Sequence, residues 1–342
     1  MRTTRGARAR RLTAGAAVAL TLPLAGCVAG STAGEAPAGP SGITAERVLQ
    51  VTSVHEETGM TLLEGPVFGD DGKLYLVDVT APAGDPKVMR VDLDAREVEP
   101  VFTDSAGAYT SAQLSPYDGR LYLTDYQGGR IVSVSQDGDD PRTFFEGRVK
   151  GRAMHPDDLT FDDDGHLFVT DSSPVAYPVG TMSGRVVRID RDTGRATVLA
   201  ANLPNPNGIS FDLDGGALWV SQLDANRVDH LTLGEGGTAV TAGHAAIHVN
   251  GGTDQTDSTA VDAAGNLYQG MHGTPRILVY APDGTHQTTV TVPAGHEGLE
   301  SATNVAIRPG TTDAYMTVSG PAGGFVYRFD ALAEGIRQSN GG

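Results

Sequence analysis

Six polar side chains recur at one place in a repeated phrase: Glu64, Ser111, Asp158, Asn207, Asp257 and Asn304. They stand 11, 11, 10, 12, 11 and 11 residues before the aromatic residues Tyr75, Tyr122, Phe168, Trp219, Tyr268 and Tyr315. Three of the six are acids. Carboxylates held close together repel one another unless a cation neutralises them. Carboxylate, carboxamide and hydroxyl oxygens are hard ligands, suited to Ca²⁺ or Mg²⁺ rather than to zinc or copper. A cation held in that way polarises a carbonyl oxygen as a Lewis acid. Capping of strand starts and solvation of a channel is the alternative reading of the same six positions.

The elements that must carry these residues are legible in the repeat. The aromatic positions are 47, 46, 51, 49 and 47 residues apart. They sit in phrases such as Gly72-Lys-Leu-Tyr-Leu-Val-Asp78, Gly119-Arg-Leu-Tyr-Leu-Thr-Asp125 and Gly165-His-Leu-Phe-Val-Thr-Asp171. A period near 48 is that of β-propeller blades. Asp/Gly turns such as Asp70-Asp71-Gly72 precede the aromatic strand, because Asp bonds its own backbone and Gly supplies positive φ. The spacing therefore predicts an all-β, six-bladed β-propeller over residues 43–330. Rotation about its axis would gather the six polar residues at one mouth. The sixth copy lacks a fourth strand, and residues 46–54 can supply it, which also covers the sheet edges. Residues 331–342 remain as a helix- or coil-like tail. No long helical period is present, which argues against a doubly wound α/β fold.

Composition narrows the partners. The chain has 342 residues, 25 basic and 42 acidic, for a formal charge of −17. That balance excludes a nucleic-acid face, which must be basic. The 45 glycines carry no G-X-Y period and point to tight turns. Residues 1–26 hold five arginines and no acid, followed by an apolar run too short to span a bilayer, and read as an export signal. Its end, Leu24-Ala25-Gly26-Cys27, resembles a bacterial lipobox in which Cys27 is lipidated. Arg10-Arg11 leaves Sec and twin-arginine export both open. Removing the signal takes the charge from −17 to −22, the difference being the five arginines. Residues 27–42 are the lipidated cysteine and an Ala/Gly/Pro/Ser-rich tether. Membrane contact is expected through that anchor alone, and oligomeric state is left open. No zinc spacing, G-x-S-x-G elbow or phosphate loop appears.

Leu63-Glu64-Gly65-Pro66, Pro204-Asn-Pro-Asn207-Gly208-Ile209 and Thr256-Asp257-Ser258 resemble the SMP-30/gluconolactonase family. His155-Pro-Asp157-Asp158-Leu-Thr-Phe161 is most similar to its calcium-dependent, Drp35-like lactonase branch. The resemblance implies that Glu64, Asn207 and Asp257 hold the catalytic cation, with Asp158 and Ser258 also at the site. It implies Ca²⁺, with Mg²⁺, Mn²⁺ and Zn²⁺ as alternatives, and a small lactone or related cyclic ester as substrate. Asp257 is the first choice for the base that activates water, and Asp158 the second. Ser111 and Asn304 complete the polar ring, and His155 is a candidate proton shuttle. His272 and His296 read as loop-packing histidines. A non-catalytic surface propeller that binds a ligand or partner is the alternative function. The best-known members of the family are cytosolic, so the lipobox is a departure from it.

Overall fold

The computed structural model describes residues 42–172 and 182–337. The expected export signal, Cys27 and most of the expected tether lie outside the described residues. Apart from two short 3-10 turns, Leu223–Ala225 and Glu235–Gly237, the regular structure described is all strand.

Consecutive strands form four-stranded antiparallel sheets. Leu63–Phe68, Leu74–Asp78, Pro86–Asp92 and Glu97–Thr103 make one. Three more begin at the inner strands Tyr109–Leu114, Pro156–Phe161 and Pro206–Phe211. Nine further strands form one sheet. Its first half begins at Gln255–Val261 and its second at Ser301–Ile307. The halves join where Met271 and His272 pair with Ala302 and Ser301. Glu46–Thr52 pairs antiparallel with Gly323–Asp330 and ends the second half. Just before it, Ile43–Thr44 runs parallel to His286–Thr291 on the first half, a contact the sequence did not suggest. A small hairpin of Arg148–Val149 and Arg152–Ala153 was likewise not foreseen.

Each inner strand touches the next, and Ser301–Ile307 returns to touch Leu63–Phe68. The hydrophobic clusters follow the same cycle. Each repeat aromatic packs into a cluster shared with the following sheet, as Tyr75 does with Tyr109, Leu121 and Val132. Tyr122 meets Phe161 edge-on at 5.2 Å between centroids, and Phe168 meets Phe211 at 5.0 Å. Tyr315 closes the cycle against Phe68 at 5.8 Å. The period of the sequence is thus the period of intersheet packing.

The Asp that ends the phrase has its own task. Asp78, Asp125 and Asp171 are buried at the ends of second strands. Their carboxylates accept the backbone N–H of Leu62 (3.4 Å), Ala108 (3.3 Å) and His155 (2.8 Å). Those are the residues that lead into the inner strands. Partners offset the buried charges: His55 Nε2 lies 2.7 Å from Asp78, Arg130 Nε 2.7 Å from Asp125, and Arg185 bonds Asp171.

Where described, the C-terminal residues are docked rather than a loose tail. The Leu332 N–H donates to the Tyr268 hydroxyl at 2.7 Å, and Gly335 bridges to Asp262 and Pro309. These bonds satisfy turn groups of two neighbouring repeats and hold the segment in an irregular path.

Val48, Leu49 and Val51 pack against the cluster shared by the first sheet and the end of the nine-stranded one. Each is partly buried and contributes a fraction of the roughly 1.5–3 kcal/mol that full burial would give. A chain starting at residue 42 should melt like the full chain, whereas one starting at residue 54 should lose at least 10 °C or aggregate, as read by calorimetry. Equal melting temperatures would show that this strand does not close the fold.

Candidate functional site

Every ring position lies in or beside a break in its inner ladder. Register shifts fall between Glu64 and Val67, Tyr109 and Ser111, Pro156 and Leu159, Pro206 and Ile209, Thr256 and Thr259, and Ala302 and Asn304. A bulge re-aims side chains that strict alternation would turn elsewhere. Two glycines let the strands come close at these points. Gly65 has φ +52°, and a Cβ there would lie 2.4 Å from the Ala112 nitrogen. A Cβ on Gly208 would lie 2.7 Å from the Ser258 Cα. The glycines that follow Glu64 and Asn207 are therefore required by close backbone approach.

The repeat also fixes the next repeat's ring backbone. The Thr124 hydroxyl donates to the Asp157 carbonyl at 2.7 Å, Thr170 donates to the Asn207 carbonyl, and Ser221 to the Asp257 carbonyl. These hydroxyls occupy the penultimate position of the recurring phrase. Thr303 donates in the same sense to the Leu63 carbonyl at 3.0 Å, one residue before Glu64.

Glu64, Ser111, Asp158, Asn207, Asp257, Ser258 and Asn304 are all buried. Ser111 Oγ donates to Asp158 Oδ1 at 2.6 Å, and the same oxygen accepts the Leu159 N–H at 2.8 Å. Ser258 Oγ donates to Asn207 Oδ1 at 3.4 Å, and its N–H donates to Asp257 Oδ1 at 3.0 Å. Asn207 Nδ2 donates to Asp157 Oδ2 at 3.4 Å, which also accepts from Ser172 Oγ at 3.0 Å. Asn304 Oδ1 accepts its neighbour's N–H, from Val305, at 3.2 Å.

Electrostatics ties residues on non-adjacent inner strands. Burial pushes the Glu64 carboxyl well above its usual range, and Asp257, Asp157 and Asp158 push it further. Burial likewise raises Asp257, with Asp157 and then Asp158 adding to it. Asp157 is pushed up to about 7, mainly by burial, with the Ser172 hydrogen bond opposing and the Asp158 charge adding. Carboxylates from the first, third and fifth inner strands thus share one desolvated space.

Two of these neighbours are not among the six polar positions of the repeat. Asp157 adjoins Asp158, and adjacent residues of a regular strand face opposite sides. The break between Pro156 and Leu159 brings both Asp157 and Asp158 to the site. His272 was read as a loop residue, yet it ends the strand Leu267–His272, with Nδ1 3.8 Å from Asp257 Oδ2 and 3.3 Å from Ser301 Oγ. Burial lowers its pKa. His155 packs on Tyr126, its Nδ1 3.3 Å from that residue's carbonyl oxygen. His296 bonds the Tyr327 hydroxyl at 2.7 Å, in keeping with a packing role.

Among the described residues, no three His, Cys, Asp or Glu side chains make a compact ligand cage. The donors gathered here are mixed: carboxylates, the Asn207 amide oxygen and the Ser258 hydroxyl. An all-oxygen, acid-rich set fits a hard cation, and such a cation would relieve the repulsion just described.

Residues 62–320 match the family described as the SMP-30/Gluconolactonase/LRE-like region. The chain is 28% identical over 302 residues to lactonase drp35 of Staphylococcus aureus (strain USA300), covering 86% of this chain and 89% of that one. Among solved structures it is similar to a gluconolactonase of Xanthomonas campestris, with TM-score 0.66, 20% identity, and 85% and 98% of the two chains covered. It is also similar to a calcium-binding protein, regucalcin, of Agrobacterium tumefaciens, with TM-score 0.68, 15% identity, and 87% and 99% covered. At these identities the solved structures speak to the fold.

The repulsion makes a prediction about stability. In chelator, Asp157→Asn should melt a few degrees above the parent, about 1 kcal/mol, because one opposing charge is gone. The gain on adding 1 mM CaCl₂ should shrink in the variant. A lower melting temperature in chelator would show that Asp157 is not under repulsion.

Proposed function

From its membership of the SMP-30/Gluconolactonase/LRE-like family, to which the chain belongs, we propose that this protein is a divalent-cation-dependent hydrolase of lactones or related cyclic esters. We read its architecture as a six-bladed propeller whose last blade is completed by Glu46–Thr52. Relatives named lactonase and gluconolactonase support the reaction, and the relative named as calcium-binding supports Ca²⁺ as the cation. The observation that carries the reading is the convergence of Glu64, Asp157, Asp158 and Asp257 in one buried space with the oxygens of Asn207 and Ser258.

Glu64, Asn207 and Asp257, with Asp158 and Ser258 beside them, are the residues that would hold the cation. When bound, it supplies a Lewis acid for the ester carbonyl. Asp257 takes a proton from the attacking water. Its burial and the charge of Asp157 raise its proton affinity, which opposes the lowering that a bound cation would impose on a carboxylate ligand. Asp158, oriented by Ser111 and the Leu159 N–H, is the second carboxylate in reach. Water adds to the carbonyl carbon, the ring C–O bond breaks, and the proton passes to the departing alkoxide. The product is a hydroxy acid. A neutral lactone enters this acidic site without electrostatic penalty, while the ionised product is repelled from it.

Asp257→Asn should lower kcat at least 100-fold on a panel of γ- and δ-lactones while keeping most of the calcium-dependent gain in melting temperature. Equal loss of both would make Asp257 a ligand only. Turnover in the parent should vanish with EDTA and return with Ca²⁺. A panel with no EDTA-sensitive turnover would favour the non-catalytic binding propeller.

We also propose that residues 1–26 direct export and that Cys27 carries the lipid anchor, with residues 27–42 as tether. Cys27→Ala should move the protein from the membrane to the soluble fraction on cell fractionation. Continued sedimentation with membranes would contradict the anchor.

A further inference from the structure

A cavity of about 190 Å³ opens against His272 and has no part in the chemistry above. Met60, Leu62, Gly320 and Pro321 give it an apolar wall, and the polar side chains in its lining are Thr61, His272, Glu300, Ser301 and Ser319. His272 links it to the reacting centre, since its Nδ1 is 3.8 Å from Asp257 Oδ2. The chain supplies the same connection twice more. Leu62 stands two residues before Glu64, and Ser301, also in the lining, opens the inner strand that carries Asn304. The cavity is therefore at the edge of the polar ring and on its side of the fold. Met60 leaves 56% of its surface exposed, a large apolar side chain with no core to fill. Its backbone is held, with the carbonyl accepting from His55 N at 3.0 Å.

We propose that this cavity receives the substituent on the lactone ring, and that this substituent is a short apolar chain of about four to six carbons. The proposal rests on the lactone-hydrolase reading of the adjoining site. The size follows from volume: one water occupies about 30 Å³ of liquid, so the cavity holds roughly six groups of that scale. The chemistry follows from the walls. The hydroxyls in the lining are already engaged, Thr61 with Thr52 and Asp78, Ser319 with the Leu63 N–H and Ser301 with His272, so a polyhydroxylated substituent would bury most of its hydroxyls against Met60, Leu62 and Pro321, which is costly. An anionic substituent would meet exposed Glu300 and the ring carboxylates. An alkyl chain loses only its contact with water, worth about a fourfold gain per fully buried methylene. Methionine suits such a wall because its flexible thioether adapts to chains of different length.

The test is kcat/KM, in saturating calcium, for γ-butyrolactone and for γ-lactones bearing ring alkyl groups of two, four, five and eight carbons, with glucono-δ-lactone for comparison. Activity should rise two- to fourfold per methylene up to four to six carbons and then level off, and the sugar lactone should fall below the best alkyl lactone. Met60→Trp, which fills the cavity, should abolish the chain-length gain and leave γ-butyrolactone turnover unchanged. Met60→Ala should weaken the gain without abolishing it. Alkyl γ-lactams, which resist hydrolysis, should inhibit in the same order of chain length. Turnover of γ-butyrolactone with no dependence on chain length, or a gain untouched by Met60→Trp, would overturn the assignment of the cavity while leaving the hydrolase in place. No turnover of any lactone would overturn both.

Discussion

Carboxylates that cannot move apart, three of them buried and Asp157 half-buried, are the constraint around which this structure is arranged. Glu64, Asp157, Asp158 and Asp257 arise from three different inner strands, and each strand is fixed by neighbours on both sides. An open sheet could relax by splaying. Inner strands in a closed cycle cannot, because widening one contact compresses another. The repulsion is therefore retained in the fold and is available to be relieved by a cation. The same burial that makes the charges costly makes them effective toward a ligand, since a low local dielectric strengthens every interaction within it.

Holding that arrangement falls to short-range chemistry repeated along the chain. An aromatic residue locks each sheet to the next, the buried Asp at the end of the phrase grips the segment entering its own inner strand, and the hydroxyl before it reaches the following one. The fourth repeat departs from the pattern, with Gln222 in place of the Asp, and there the Leu223 N–H bonds the Asn205 carbonyl at 3.0 Å in the backbone alone. In the fifth, Met271 takes the Asp position and pairs instead with Ala302, joining the two halves of the nine-stranded sheet. In the fifth repeat alone, loss of the Asp clamp coincides with a direct ladder to the next repeat. No cysteine pair contributes: Cys27 is the single cysteine in the sequence.

Much of this was legible beforehand for a physical reason. Turn chemistry and intersheet packing are local and periodic, so the 46–51-residue spacing of the aromatics reported the strand order directly. The offset of the polar residues reported the positions of Glu64, Ser111, Asp158, Asn207, Asp257 and Asn304 at the starts of inner strands. What escaped depended on departures from periodicity. Asp157 reaches the site only through a ladder break, which alternation cannot foresee. His272 approaches Asp257 because the fifth repeat ends differently from its fellows. The role of Thr124, Thr170 and Ser221 was visible as a repeated hydroxyl, but its partner lies 33 to 37 residues downstream, across a sheet boundary. The docking of residues 331–337 depends on hydrogen bonds to turns, and no composition or period encodes those.

If the converging oxygens form one cation site, crystals grown with calcium and soaked in Mn²⁺ or a lanthanide will locate it by anomalous scattering. A strong peak is expected within about 2.3–2.6 Å of oxygens from Glu64, Asn207 and Asp257. Cations found only elsewhere on the molecule, in a protein that hydrolyses lactones, would contradict it.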